Sequence, residues 1–492
     1  MFIHVTSSLK QQTNEFLERY AYWFFLGLVL IACRLIASQT MHVYDDAFIT
    51  LRYARNLANG IGFVYQPNEW VLGTTAPAFG LINSVFFVLH LPIPETTIAL
   101  NILADVAILY LTIIIIPVPQ RLGTASIFAL AFSLSPTLNQ LCIGGMETNL
   151  FIALSLVVLW LHIQSWHATA ILLSTMLYFL RPEALILSGL LIVSEWQQNK
   201  KLAICDAVIG LCLGGLLIGT QFLLYHQVLP QSVIAKIALS KPTVVEVLIA
   251  LLTSDPLIIL AIPFAIIGSL LSRKNRAYKL LAVWCAIYIG LYGLTRPHIW
   301  PWYGGPIQYA VLALGALGLL GLGQEIFIQL GWCISRRLRW IITVSPVMIL
   351  LIALLIVTPS QIRPNIYEPM AKWCESTKPH SAIMAYDIGA IGFYCQDAYI
   401  YDLAGLVWPK ALQLQWADAV IQFYQPEYFF INYNKGNLVW YSNSPFTKEY
   451  APVIRFAPTG DQRLDLNPQS LPNEWVADYI LFQRLPIIDS GK

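Results

Sequence analysis

The sequence predicts a polytopic α-helical membrane protein with an α/β domain at its C-terminal end. Three observations predict this. The 492-residue chain is 57% hydrophobic and only 11% charged, whereas a soluble domain averages about 25% charged. Its mean hydropathy is +0.63. Apolar runs approaching the ~20 residues that cross hydrocarbon recur as far as residue 357, and 358–492 holds no further run of that kind.

The runs 21–38, 76–92, 97–116, 122–140, 148–164, 168–181, 184–197, 203–224, 247–271, 279–295, 305–328 and 338–357 are candidate spans, which predicts about 11–13 crossings. Lys10, Glu15, Glu18 and Arg19 precede the first run, and no small-residue cleavage pattern follows it. It is read as a retained span rather than a removed leader.

Basic residues fill three short gaps: Lys200 and Lys201; Arg273, Lys274, Arg276 and Lys279; and Arg336, Arg337 and Arg339. Such gaps face the cytoplasm. Two runs separate each cluster from the next, so all three share a side. Residues 225–246, 296–304, the Arg181-Pro182-Glu183 corner and the C-terminal region then fall on the other side. Six runs separate the loop 39–75 from Lys200, which by parity places that loop in the cytoplasm. An extracytoplasmic loop requires one early segment to be re-entrant, or two to form one broken helix. The short pair flanking Pro182 and the run 76–92 are the candidates. The net charge of +2, placed in these gaps, leaves no nucleic-acid footprint.

Residues 358–492 change character. Ser381–Phe393 reads apolar and contains most of YDIGAIGFY (386–394), and AYIYDLAGL (398–406) follows. PEYFFINY (426–433) and VADYILFQRL (476–485) are short runs rich in tyrosine, phenylalanine and isoleucine, bounded by proline, asparagine and glycine, which are strand signals. PKALQLQWADAVIQFYQ (409–425) has helical spacing. Six of the eight cysteines lie in or beside apolar runs, where cysteine is commonly a small buried hydrophobe. Cys374 and Cys395 could pair if the C-terminal region is extracytoplasmic, or remain two free thiols.

The polar stretch MHVYDDAFITLRYARNLANGIGFVYQPNEWVLGTTAP (41–77) opens on two acids, Asp45 and Asp46. Ala47–Asn59 has helical spacing, and Gly60 suits its end. The plain reading makes one acid a helix cap and the other a first-turn acid. The catalytic reading starts from geometry. Successive helical residues point about 100° apart, so Asp45 shares a face with Arg52 and Asn56, and Asp46 with Thr50 and Tyr53. A helix lying on lipid favours lysine and arginine, so acids here point to a different partner. On the same side the orientation gathers Arg181, Glu183, Tyr225, His226, Lys236, Arg296 and His298. Snorkelling accounts for any one of them. As a set, the cations suit a phosphate-bearing ligand and the acids suit a group to be deprotonated. RPHIWPWYGGP (296–306) adds Trp300, Trp302 and Tyr303, either an interfacial belt or a groove on which sugar rings stack. Within the spans, Arg34 and Asp105 are costly and either pair or face the bundle interior.

The first-loop stretch, together with GGMET (144–148), RPE (181–183), YDIGAIGFY and DLAGL (402–406) in this order, resembles the C-type (GT-C) glycosyltransferases. These integral membrane enzymes use polyprenyl-phosphate sugars. They include lipid A aminoarabinose transferases, protein O-mannosyltransferases and mycobacterial cell-wall arabinofuranosyltransferases, and the likeness is closest to a bacterial subgroup near the last. One departure is Asn68-Glu69, where the family's loop often has Gly-Glu.

The resemblance implies an external first loop whose acid acts as general base, and later loops whose cations hold the lipid phosphate. Asp45 matches the catalytic position, and Asp46 supports it or binds the acceptor. Arg181 and Lys236 sit where the family places phosphate-binding cations, and Arg52 and Arg296 are counted with them. Glu183, His298, Trp300, Trp302 and Tyr303 line the substrate groove. The expected reaction is inverting transfer of a hexosyl or pentosyl group from a polyprenyl-phosphate donor to a hydroxyl of an extracytoplasmic glycan, lipid or protein. The expected place is the plasma (inner) membrane. The expected organisation is a transferase-like domain over 1–357, with its catalytic loop at 39–75, and a soluble extracytoplasmic domain over 358–492. No cofactor is required, although Asp45, Asp46 and Glu69 could hold a divalent metal. The rival readings are a carrier or flippase of lipid-linked sugars and an inactive transferase-like protein. A carrier needs no acidic pair on a structured loop, and the paired halves common in transporters are not visible. The glycines of Gly389-Ala390-Ile391-Gly392 are read as a turn rather than a phosphate loop.

Overall fold

A computed structural model describes residues 2–115, 121–239, 242–253, 255–271, 275–329, 367–376, 381–414, 417–457, 464, 466–467, 469 and 478–486. The run 338–357, the cluster Arg336, Arg337 and Arg339, and Arg273 with Lys274 lie outside these residues. The helical part comprises α1 (Phe2–Thr40), α2 (Asp45–Ala58), α3 (Pro77–Val88), α4 (Glu95–Ile115), α5 (Arg121–Leu134), α6 (Pro136–Ile143), α7 (Thr148–Ile163), α8 (His167–Met176), α9 (Ala184–Trp196), α10 (Lys200–Tyr225), α11 (Gln231–Leu239), α12 (Val244–Leu252), α13 (Pro256–Leu271), α14 (Arg276–Thr295) and α15 (Pro301–Gln329).

Among the described residues, five helices are long and apolar enough to cross a membrane, or seven if each of two bent pairs is one span. Four shorter apolar helices accompany them. This is a multi-pass membrane protein. The bends are not where the sequence placed them. Run 122–140 turns by 65° between α5 and α6, and run 247–271 by 100° between α12 and α13. Each second helix opens on a proline, which suits a first helical turn but not a helix interior. The Ser135 hydroxyl donates to the Asp255 carboxylate, so the two breaks meet. At Pro182 and at 76–92 there are instead separate short helices, α8, α9 and α3.

Among the described span-length helices α15 is the most buried. It packs on α13 through glycines. A Cβ on Gly268 would stand 2.0 Å from the Leu314 carbonyl oxygen, and one on Gly318 would stand 1.9 Å from that of Phe264. Small residues permit this close backbone approach in a membrane bundle.

Arg34 and Asp105, left without partners by the sequence, pair with each other at 2.5 Å and are fully buried. Arg34 also donates to Asn139 Oδ1 and to the carbonyls of Phe132 and Ser133, and Asn149 donates to Asp105. Both charges are thus held by hydrogen bonds as well as by each other.

The C-terminal part begins with α16 (Tyr367–Ser376). It continues through β1 (Ala382–Ala385), α17 (Gly389–Tyr394), β2 (Tyr399–Asp402), α18 (Ala411–Leu414), α19 (Ala417–Tyr424), β3 (Tyr428–Asn432), α20 (Lys435–Asn443), β4 (Tyr450–Phe456) and β5 (Tyr479–Arg484). The sheet order is β2-β1-β3-β5-β4. β1 runs parallel to β2 and β3, and β5 runs antiparallel to β3 and β4. Side chains alternate between faces. Ile383, Ala385, Phe430 and Leu481 join the core that includes Phe48 and Tyr53 of α2, while Met384, Phe429, Ile431 and Phe482 pack under α18–α20. The sheet is therefore continuous with the helical body on one face. Cys374 and Cys395 form a disulfide that ties α16 to the end of α17, which settles that open alternative.

Removing one member of a buried ion pair leaves an uncompensated charge and costs about 3–5 kcal/mol. Asp105→Ala is expected to lower the melting temperature in detergent sharply. Arg34→Met combined with Asp105→Leu should recover most of the loss. A double variant no better than the single one would contradict this.

Candidate functional site

Asp45 is the first residue of α2, and the residue before it, Tyr44, makes no side-chain cap. Asp45 caps a different helix. Its Oδ2 accepts from Gly389 N and its Oδ1 from Ala390 N, both at 2.8 Å. The contact requires glycine, because a Cβ on Gly389 would stand 1.7 Å from the Asp45 carbonyl oxygen. The GAIG segment is a helix start seated on α2 and not a turn.

The Asp45 face of α2 lies against the C-terminal part. Arg52 donates to the carbonyls of Tyr65, Gly392 and Ala398 and to Gln66 Oε1. It is 1% exposed. Its expected role in holding a donor phosphate is therefore corrected. The guanidinium is spent on holding the returning loop and α17 against α2. Arg55 donates to the Phe393 carbonyl, Tyr65 to that of Ile388, and Gln66 to that of Ile400.

The Asp46 face looks elsewhere. Asp46 Oδ2 pairs with Lys236 Nζ of α11 at 3.2 Å. Thr50 bonds Thr74, and Tyr53 donates to the Val71 carbonyl. Lys236 lies 5.7 Å from the ring centroids of both Trp302 and Tyr303. Burial opposes its charge, but Tyr303 and Asp46 outweigh this and hold Lys236 above its ordinary value. Arg181 also lies over Tyr303, 5.6 Å from its ring centroid.

Arg181 is buried. It pairs with Glu147 and with Glu183, each at 3.2 Å, and donates to Thr148 Oγ1 and the Trp302 carbonyl. Tyr292 donates to Glu183. Among the described residues, Arg181 Nε and Glu183 Oε2 are buried without a hydrogen-bond partner, and each such atom costs about 1–3 kcal/mol. Trp300 is 41% exposed and stacks on buried Trp302 at 5.6 Å with the rings 4° from parallel. Tyr44 packs on Trp302.

Asp46, Lys236, Arg181, Glu183, Trp300, Trp302 and Tyr303 thus form one continuous cluster. Arg296 and His298 are exposed beyond the end of α14; His298 packs edge-on against Trp300 at 4.9 Å. Two members were not chosen from the sequence. Glu147 stands in the GGMET motif, and Tyr292 closes the Glu183 contact from the middle of an apolar run. The three acids proposed as a metal set do not converge. Asp45 takes the N–H groups of α17, Asp46 takes Lys236, and Glu69 accepts from the Tyr399 hydroxyl at 2.7 Å. Tyr225 donates to the Phe63 carbonyl and serves the loop rather than a ligand.

The two adjacent acids differ electrostatically. Burial, helped by Asp387 and Asp46, outweighs the two N–H bonds and pushes Asp45 from its ordinary 3.8 up to about 8. In DLAGL, Asp402 is pushed up to about 7 by burial while accepting from Ala404 N and Val407 N. It shapes that turn.

Because the folded chain binds the Asp45 proton more tightly than the unfolded chain, this carboxyl favours folding fully below about pH 4. That contribution is lost as pH rises toward about 8. Melting temperatures recorded from pH 4 to 8 should fall more steeply for the wild type than for Asp45→Asn. Parallel curves would contradict the raised value.

Residues 358–479 match a family described as "Domain of unknown function (DUF8728)". No curated protein sequence matches the chain. Among solved structures, the chain is similar to ArnT from Cupriavidus metallidurans bound to undecaprenyl phosphate. That likeness has a TM-score of 0.57 and 10% identity, and covers 93% of this chain and 97% of that one. It is also similar to the archaeal oligosaccharyltransferase AglB from Archaeoglobus fulgidus in complex with an inhibitory peptide and a dolichol-phosphate. There the TM-score is 0.54 at 11% identity, covering 91% of this chain and 75% of that one. At such identities the likeness is one of fold, and the fold is that of the C-type (GT-C) glycosyltransferases.

Proposed function

We propose that the protein is an inverting glycosyltransferase that moves a sugar from a polyprenyl-phosphate donor to a hydroxyl of a cell-envelope acceptor. The loop 39–75 and the C-terminal α/β part lie on the extracytoplasmic side of the plasma (inner) membrane. The observation that carries the reading is the convergence of Lys236 and Arg181 on Trp302 and Tyr303, with Asp46 paired to Lys236 and its neighbour Asp45 raised by burial above the usual carboxylate range. The ArnT and AglB structures, which hold undecaprenyl phosphate and dolichol-phosphate, support the same donor class here.

A sugar on a lipid phosphate already carries a good leaving group. The remaining work is to deprotonate the acceptor hydroxyl, align it behind C1 and neutralise the departing phosphate. A general base works best with a pKa near the operating pH, and Asp45 at about 8 meets that condition. Each of its oxygens already accepts one backbone N–H and keeps a second lone pair for the acceptor hydroxyl. Lys236 and Arg181 supply positive charge where the phosphate charge develops, and the unsatisfied Nε of Arg181 is a donor in reserve. Trp300, stacked on Trp302, offers an exposed ring face to a sugar. Single displacement inverts the anomeric centre.

Membranes are incubated with labelled polyprenyl-phosphate sugar. Asp45→Asn is expected to lower turnover about 10²–10⁴-fold. Wild-type kcat/KM should rise with pH and level off above about 8. Lys236→Met and Arg181→Met should weaken donor use, and Arg52→Met should act through stability. Unchanged turnover in Asp45→Asn would end the general-base assignment.

A further inference from the structure

At the other end of the helical body lies a second polar cluster, which plays no part in the proposed reaction. Arg181 contacts Thr148, the first residue of α7, and His162 lies in the last turn of that helix. Fourteen residues of helix separate them, about 21 Å. Glu195 lies similarly at the far end of α9, which begins beside Glu183. The cluster neighbours the basic gap at Lys200 and Lys201. Its members are His162, His167 at the start of α8, Glu195, Arg276 at the start of α14, and Asp206 of α10.

One ligand atom from each of His162, His167 and Glu195 lies within 4.8 Å of the other two. His162 Nδ1 and His167 Nδ1 are 3.3 Å apart, and His167 Nδ1 is 3.3 Å from Glu195 Oε2. Donor atoms bound tetrahedrally at about 2.0–2.1 Å from a zinc-like ion stand about 3.3–3.4 Å apart.

Protons alone do not satisfy these contacts. Arg276 donates to His162 Nε2 at 2.8 Å, so the single proton of a neutral His162 ring sits on Nδ1. If that proton goes to His167 Nδ1, the His167 nitrogen meets the Glu195 carboxylate with a lone pair. If His167 Nδ1 instead carries a proton for Glu195, two N–H groups face each other across 3.3 Å. Either state leaves one contact unfavourable. A cation among the three atoms uses all three lone pairs. Independently, Asp206 Oδ1 is buried with no hydrogen-bond partner among the described residues and lies within electrostatic reach of His167 and Glu195. Asp206 itself is 1% exposed. An unpaired buried carboxylate of this kind suits the surroundings of a bound cation.

We propose that His162, His167 and Glu195 bind one divalent transition-metal ion of the zinc type, which pins the turn between α7 and α8 to the end of α9. Two imidazole nitrogens and one carboxylate oxygen are borderline ligands that suit zinc or cobalt rather than calcium or magnesium. Binding moves the His162 proton to Nε2 and therefore displaces Arg276 from that nitrogen. Arg276 keeps its other partners, Gln198, Ser194 and Glu195. Arg276 is thus a competitor of the metal.

The test uses the full-length chain in detergent, stripped with chelator and titrated with Co²⁺. The expected result is a saturable visible absorption of a low-symmetry cobalt site at one ion per chain, displaced by Zn²⁺. Zn²⁺ should also raise the melting temperature of the stripped wild type. His167→Gln should weaken binding by roughly tenfold or more. Arg276→Gln should tighten it, an outcome that a simple ion-pair network does not give. No saturable cobalt spectrum in folded wild type would overturn the proposal, as would equal binding by His167→Gln. In either case the cluster is an ion-pair network only.

Discussion

The first-loop helix is clamped between two bodies, and the rest of the site depends on that clamp. α2 lies between the membrane helices and the C-terminal sheet. The grip comes from charged side chains bonded to backbone groups. Asp45 takes two N–H groups of α17, Arg52 takes three carbonyls and an amide, and Arg55 takes a fourth carbonyl. Buried backbone groups at helix ends need partners, and here the loop supplies them. Gly389 and Gly392 let the two backbones come close enough, since a Cβ at Gly392 would collide with the Tyr65 hydroxyl. The disulfide Cys374–Cys395 fixes α17 from behind.

The clamp also divides the labour of two neighbouring acids. They are adjacent in sequence, but the helix turns them onto different faces. Asp45 points into the seam with α17, where burial and the nearby Asp387 raise its pKa. Asp46 points toward Lys236 and the aromatic pair. Environment, not residue type, separates the two roles. Loops far apart in sequence meet at this point. α11 is tied to the first loop by Gln231 N on the Leu72 carbonyl, and to the C-terminal part by Gln231 Nε2 on the Gly405 carbonyl. Lys236 is thereby delivered from the same short helix.

Much of the fold was legible because hydrophobic runs and strand-rich segments are local signals. The greasy body, the polar loop and the mixed sheet all follow from such signals. Helical phase alone also put Asp45, Arg52 and Asn56 on one face and Asp46 with Thr50 and Tyr53 on the next, and both faces exist. What each face meets was not legible. Arg52 looks like a phosphate ligand in sequence, and only the fold reveals that its donors are consumed. Glu147 is a lone acid in a short motif until Arg181 is brought to it. The bends at Ser135 and Asp255 are joined by a contact between residues 120 positions apart. His162, His167 and Glu195 each read as an ordinary polar helix end, and their convergence is a property of packing.

The central claim is that Lys236 and Arg181 receive the phosphate of a polyprenyl carrier beside Trp302 and Tyr303. The most direct measurement is a structure of the full-length protein with polyprenyl phosphate bound. The account predicts phosphate oxygens within hydrogen-bond reach of Lys236 Nζ, of Arg181, or of both, with the lipid leaving toward the membrane helices. A phosphate held elsewhere, touching neither cation, would contradict it.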